Sequence, residues 1–352
     1  MKLENEQIAV VGMGCRFADG INTVDNYWAY INAGKNVAKE VPVGRWTSQE
    51  CKIAMDKMAE KLKGGFLNQV DNFDADFFSI SPREAERIDP QQRLLLEVCW
   101  ESFENSKITL NQVGKYKVGV FMGISSQEYC ALNGLAQFDG YSLTGSSASL
   151  ISGRISHVFG FSGPSITVDT ATSSSLVSIH LACQSLLNGE SDIVVAGGVS
   201  LMLTPRMFIG FSHLRGLASD GRCKTFSADA DGTGWSEGCG VVVLKRLSDA
   251  ERDGDRIWGV IRGSAINHDG RTQGLTVPSG AAQEAVVRAA LRQAGVKPAD
   301  VDYVECHGTG TRLGDPIEVQ ALGAVLGEGR SPDRPVILGS VKSNLGHTQA
   351  AA

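Results

Sequence analysis

The order in which two kinds of segment follow one another constrains this chain most. Short runs of apolar and β-branched residues alternate with longer stretches whose apolar residues recur every three or four positions. That alternation specifies an α/β layered fold. Strands are predicted at QIAVVGMG (7–14), KVGVFMGI (117–124), SITVDTA (165–171), DIVVAGGVSLM (192–202) and GCGVVVLKRL (238–247). Helices are predicted at residues 23–34, 82–106, 147–160 and 173–189. The last is apolar on most faces, as expected of a central buried helix.

From about residue 255 the order starts again. Strand 257–267 leads to helix 281–295, strand 302–308 to helix 315–327, and strand 336–346 to the opening of a third helix at HTQAAA. The expectation is a single domain over 1–352 with two structurally related halves, 1–250 and 251–352. The second half is expected to be truncated, without most of its third helix and two closing strands. That would leave a sheet edge unpaired, as in a fragment or one piece of a split domain.

Length and composition (352 residues, 42% hydrophobic, 20% charged) allow a large core. The net charge of −6, without long runs of one sign, points away from nucleic acid and anionic membranes. No apolar run is long enough to span a bilayer, and MKLENEQIAVVG lacks a signal-peptide layout, so a cytoplasmic location is expected. Eight cysteines are scattered without CxxC or CxxxH spacing, so neither a disulfide framework nor a metal site is expected. Two irregular stretches, 35–80 and 203–237, are long enough to serve as lids, binding loops or partner surfaces. Within the second, DADGTGWSEG (229–238) lacks EF-hand spacing and reads as a structural loop.

Three local features carry chemistry. In TVDTATSSSLVSIH (167–180) a strand turns sharply into a helix and presents Thr172 at the turn. HGTGT (307–311) follows a strand, and VKSNLGHT (341–348) sets Lys342 five residues before His347. Both histidines are read as ending strands at glycine-rich turns, where ligands gather in α/β folds. Each feature has a plainer reading: Thr172 and Ser173–Ser175 as helix caps, HGTGT as a phosphate loop, Lys342 as a solvated charge. His157 and His180 fall within helix patterns and read as structural, while His213 and His268 are loop residues open to either reading. Together, two imidazoles near a helix N-terminus can stabilise an enolate or oxyanion.

At these residues the chain resembles a β-ketoacyl synthase, in particular the ketosynthase domain of a modular type I polyketide synthase. The likeness runs through IAVVGMGCRF, FFSISPREAERIDPQQRLLLEVCWE, SGRISHVFGFSGPSITVDTATSSSLVSIHLACQSLLNG, VECHGTGTRLGDPIE and VKSNLGHTQAAA. It implies a thiolase-like fold of two pseudo-repeated βαβαβαββ halves, layered α-β-α-β-α, in a homodimer. It implies a Cys-His-His site for decarboxylative condensation of an acyl chain with a malonyl-type extender. His307, His347 and Lys342 occupy the family's catalytic positions. Thr309 and Thr311 occupy positions that meet the phosphopantetheine arm of a partner acyl carrier protein. No other cofactor is implied. An acyltransferase and further synthase domains are the other implied partners.

The chain departs from the pattern at the nucleophile, where Thr172 stands in the cysteine's place. A helix N-terminus can lower a thiol's pKa from about 8.5 far enough to give thiolate, whereas a threonine hydroxyl needs a dedicated base. This form is therefore expected to be condensation-deficient. A decarboxylase-only domain, or a non-elongating domain that binds chains or acts as a scaffold, is the alternative.

Overall fold

The computed structural model describes residues 6–58, 62–132 and 138–352. Its strands are β1 (Ile8–Phe17), β2 (Lys39–Glu40), β3 (Lys63–Gly64), β4 (Val118–Gly123), β5 (Ser165–Val168), β6 (Ile193–Ser200), β7 (Gly238–Arg246), β8 (Gly259–Ile261), β9 (Tyr303–Glu305) and β10 (Ile337–Gly339). Six of them form one sheet in the order β5-β4-β6-β7-β1-β8. β4 runs parallel to β5 and β6, whereas β7 is antiparallel to both β6 and β1. β9 and β10 form a separate parallel pair, and β2 and β3 a short antiparallel ribbon.

The central strands read as near-continuous apolar runs because both faces are covered. Val120 and Met122 of β4 join Leu95, Leu96 and Cys99 of helix Pro90–Ser106 in the core on one face. Phe121, between them, packs with Ala182, Cys183 and Leu186 of helix Ser174–Leu187 on the other. The period-two alternation of side chains thus feeds two cores from one strand. Glycines let the layers touch: a Cβ on Gly12 would lie 2.4 Å from the Ser102 carbonyl oxygen, so helix 90–106 sits directly on β1.

Several expectations need correction. The segment 82–106 is two helices, Pro82–Ala85 and Pro90–Ser106, because Asp89 caps the second one and Pro90 occupies its first turn. Helix Ser174–Leu187 is buried along its sheet-facing side only, and Leu176 on another side is 65% exposed. The stretches expected to be irregular contain helices Ser48–Met58 and Arg206–His213, which places His213 in a helix's last turn. The strand expected over 336–346 stops at Gly339, and Lys342 opens a one-turn helix, Lys342–Leu345. The strand expected over 302–308 ends at Glu305, so His307 lies in the turn beyond it.

Segment 35–80 is clasped to the sheet by a buried ion pair. Arg45 bonds Glu237, and Glu237 also accepts the Leu67 and Met202 backbone N–H groups, both at 2.8 Å. The loop 229–238 is tied to the segment before it, with Asp231 paired to Lys224 at 2.7 Å and accepting from Ser219.

Candidate active site

β5 ends at Val168 and the chain turns through Ala171, a non-glycine residue at φ +55°, into the 3₁₀ segment Ala171–Ser173 and then helix Ser174–Leu187. Side-chain hydroxyls brace this elbow. Ser174 Oγ donates to the Ala171 carbonyl at 2.6 Å and accepts the Thr170 N–H at 3.0 Å, and Ser173 Oγ donates to the Thr170 carbonyl at 2.9 Å. Gly123 lets β4 approach from below, since a Cβ there would lie 2.7 Å from the Ser174 carbonyl carbon. Thr172 sits half-buried at the crest. Its hydroxyl has no hydrogen-bond partner among the described residues, so no imidazole is in place to take its proton.

The elbow packs against residues 349–351, which follow His347 directly. His347 is 2% exposed and held on every side. Its N–H donates to the Gly234 carbonyl at 2.7 Å, and its carbonyl accepts the Ser236 N–H at 3.0 Å. The Trp235 indole lies tilted against its ring with centroids 5.0 Å apart. The Gln349 N–H reaches His347 Nδ1 at 3.3 Å. Nδ1 is thus an acceptor, and the proton of the neutral ring belongs on Nε2. Burial, with His307 and Lys342 nearby, holds the His347 pKa well below its ordinary value.

His307 meets His347 edge to face, with ring centroids 5.4 Å apart and planes at 86°. The turn bearing it is pinned by Glu318, whose carboxylate accepts the His307 N–H at 2.6 Å and the Gly308 N–H at 2.8 Å. Surrounding protein, then the Lys342 charge, lowers the His307 pKa to about 4. The ring is exposed on its pocket side, and with its pKa lowered His307 is neutral at pH 7. Lys342 is 9% exposed, and among the described residues no carboxylate lies within ion-pair reach of it. Desolvation lowers its pKa.

His307, Thr309 and Thr311 line one pocket of about 820 Å³. Thr309 is buried, with its hydroxyl 3.4 Å from that of Thr311. Thr172 and His347 are not in the lining: His347 lies behind His307, and Thr172 lies on the elbow beyond residues 349–351. The two imidazoles are therefore in direct contact, and the threonine is joined to them through packed backbone. His180 bonds Ser264 at 2.8 Å, and His268 accepts the Gly270 N–H at 2.9 Å.

Sequence reasoning missed Trp235 and Glu318. Both lie inside quoted motifs, DADGTGWSEG and GDPIE, but nothing in their spacing says that one covers a histidine ring and the other pins a turn. Chemically, two neutral imidazoles in contact, one with its proton directed to Nε2, can together hold a developing oxyanion.

Two family models account for nearly the whole chain. Residues 5–250 match the β-ketoacyl synthase N-terminal domain, and residues 258–352 match the β-ketoacyl synthase C-terminal domain. Polyketide synthase GfsA of Streptomyces halstedii is 53% identical over 353 residues, covering 99% of this chain and 5% of that protein. The phenolphthiocerol synthesis polyketide synthase type I Pks15/1 of Mycobacterium bovis is 51% identical over 351 residues, covering 99% of this chain and 17% of that protein. The oxazolomycin ketosynthase domain OzmH KS7 of Streptomyces albus superposes with a TM-score of 0.91 at 37% identity, covering 99% of this chain and 60% of that one. The ketosynthase from module 6 of the bacillaene synthase of Bacillus subtilis gives 0.88 at 40% identity, covering 98% and 59%. The chain thus spans a small part of these curated relatives and about three fifths of the solved ketosynthases. The mixed sheet with helices on both faces is the thiolase-like fold.

Proposed function

The chain belongs to the β-ketoacyl synthase family, as a ketosynthase domain of the modular polyketide synthase kind, and from that premise we propose that it keeps one half of the reaction and lacks the other. The half it keeps is decarboxylation of a malonyl-type thioester on an acyl carrier protein. Loss of carbon dioxide leaves the electron pair of the broken C–C bond as a thioester enolate. The imidazole N–H groups of His307 and His347 hold the enolate oxygen, and a solvent proton then gives the saturated acyl thioester. Neutral rings suit this role, because a ring that stays neutral donates without a counter-charge.

The half it lacks is acyl loading. Thr172 occupies the nucleophile's position, and among the described residues its hydroxyl has no base within hydrogen-bonding distance. The domain is condensation-deficient for that reason. The observation that carries this reading is the contrast between the contacting histidine pair and the unpartnered hydroxyl. Thr309 and Thr311 supply hydroxyls to the carrier's phosphopantetheine arm in the pocket they share with His307. Carrier protein, acyltransferase and other synthase domains are its partners. A second copy pairs along the β5 edge, where Ile166 is 42% exposed.

Incubation with malonyl-carrier protein tests this directly. Carbon dioxide should be released, and release should fall sharply in His307→Ala and His347→Ala. No release by the parent domain while the carrier still binds would replace decarboxylation with a scaffold role. An acyl adduct on the Thr172 peptide, seen by mass after exposure to an acyl thioester, would overturn the condensation deficiency.

A further inference from the structure

Beside His347 stands an indole that packing alone does not account for. Trp235 is 2% exposed and belongs to an aromatic cluster with Trp46, Phe66 and Phe208. Within that cluster Trp46 donates its indole N–H to the Met202 carbonyl at 3.0 Å. The Trp235 indole N–H is buried as well, yet it has no partner among the described residues. A buried donor without an acceptor is a standing cost to folding, and phenylalanine or leucine would avoid it. What the indole offers in return is its width: it meets Phe211 edge to face, with centroids 4.5 Å apart at 89°, and lies over the His347 ring at 5.0 Å and 32°.

The backbone brings the two rings together. Trp235 and His347 stand opposite each other in a parallel bridge, closed on either side of Trp235 by the bonds of His347 to Gly234 and Ser236. Residues directly opposite in such a bridge project from the same face. Gly65 fixes the other edge of that stretch: its N–H donates to the Trp235 carbonyl at 3.0 Å, and its carbonyl accepts the Glu237 N–H at 2.8 Å. His347 itself has little else to set its ring. The torsion that turns an imidazole is broad and two-fold, and the bond from the Gln349 N–H to Nδ1, at 3.3 Å, is long. Half a turn would put a carbon where Nδ1 now accepts. His307, the other ring against it, is exposed to a pocket and is the less constrained neighbour.

We propose that Trp235 is a positioning residue for His347: the indole face sets the plane of the imidazole, so that Nδ1 meets the Gln349 N–H and the Nε2–H edge is the one presented for reaction. The link to decarboxylation rests on the function proposed above, whereas the setting of the ring rests on the packing.

Tautomer and turnover, measured together on the full chain, test this. In nitrogen NMR of isotope-labelled histidine at neutral pH, the signals lost in His347→Ala should report one neutral tautomer, protonated at Nε2. Trp235→Leu should average the two tautomers. It should also lower kcat for carbon dioxide release from malonyl-carrier protein by about 10- to 100-fold, the scale of a misplaced group, with KM unchanged. Trp235→Phe returns an aromatic face and should recover most of both. Phe208→Leu is the packing control. It opens the same cluster at a ring that meets Trp46 and Phe66, and should lower Tm while tautomer and kcat hold. Trp235→Met fills much of the same space without a flat face, and takes over the test if the leucine variant does not fold. A single Nε2–H tautomer that persists in the non-aromatic variant overturns the positioning role. So does an equal fall of kcat in Phe208→Leu, or a mixed tautomer in the parent chain. If the parent releases no carbon dioxide, the decarboxylase reading falls and the tautomer alone judges the indole.

Discussion

At Ala171 and at Gln349 the chain makes the same turn. Both are non-glycine residues in the left-handed region, at φ +55° and +53°, and each opens a three-residue 3₁₀ segment. Their surroundings differ. The first elbow is braced by serine hydroxyls, and its crest, Thr172, is half-buried with no side-chain hydrogen bond among the described residues. The second is sealed, with Gln349 2% exposed, Ala350 fully buried and the Gln349 N–H committed to a histidine ring. One backbone device thus serves two purposes: it lifts a side chain into the open at 172 and aims a backbone donor at 347. The side chain needs a reactive atom to be useful, whereas the donor works whatever residue bears it. On the function proposed above, the residue borne at the first elbow therefore decides what that elbow can do, whereas the second depends on backbone alone.

The largest effect should come from giving the first elbow its atom. Thr172→Cys should turn no detectable acyl loading into a covalent adduct on that peptide, because a thiol at a helix N-terminus ionises where a hydroxyl does not. If loading stays absent in a folded variant, the elbows differ by more than one atom. Next, His347→Ala should lower carbon dioxide release by roughly 10²–10³-fold, the scale of losing one oxyanion donor. Steady-state gas release measures it.

Gly198→Ala strikes the second elbow's floor, since a Cβ there would lie 2.2 Å from the Ala350 carbonyl oxygen. A cost of about 1–3 kcal/mol is expected, read from denaturant unfolding. Acid should act more gradually. Both histidine pKa values are lowered on folding, so the unfolded chain binds more protons and acid favours it. Their contribution is intact above about pH 6.5 and is lost as pH falls through about 4 for His307, and lower still for His347. An unfolding midpoint that rises over that interval would contradict the neutral pair. The smallest effect belongs to Ala171→Gly. It removes left-handed strain, offset by the added freedom of the unfolded chain, for a net gain of about 0.5 kcal/mol in thermal unfolding.

Much of the fold was legible because the central strands announce themselves. IAVVG, VGVFMG and IVVAGG are apolar runs flanked by turn residues, and burial on both faces is the physical reason. The helix break at Asp89-Pro90 was missed: a cap followed by proline marks it, but the strong apolar periodicity of 90–106 masked that signal. The local structure around VKSNLGHT was not legible. Ser340 to Leu345 carries no helical period, and the one-turn helix there depends on Ser343 bonding back to the Ser340 carbonyl at 2.9 Å and on Leu345 packing into a distant cluster. In the site, His307, His347, Thr309 and Thr311 were findable from their motifs. The indole over His347 and the carboxylate pinning residues 307–308 were not: the first comes from a segment remote in sequence, and the second acts through backbone groups that leave no mark on residue type.

The indole beside His347 has an optical consequence. Trp235 is 2% exposed while Trp28 is 63% exposed, so their emission should fall at different wavelengths. A chain stripped of its other tryptophans would carry a native fluorophore against the His347 ring. Occupancy of the neighbouring recess could then be followed in real time, without a label and without turnover.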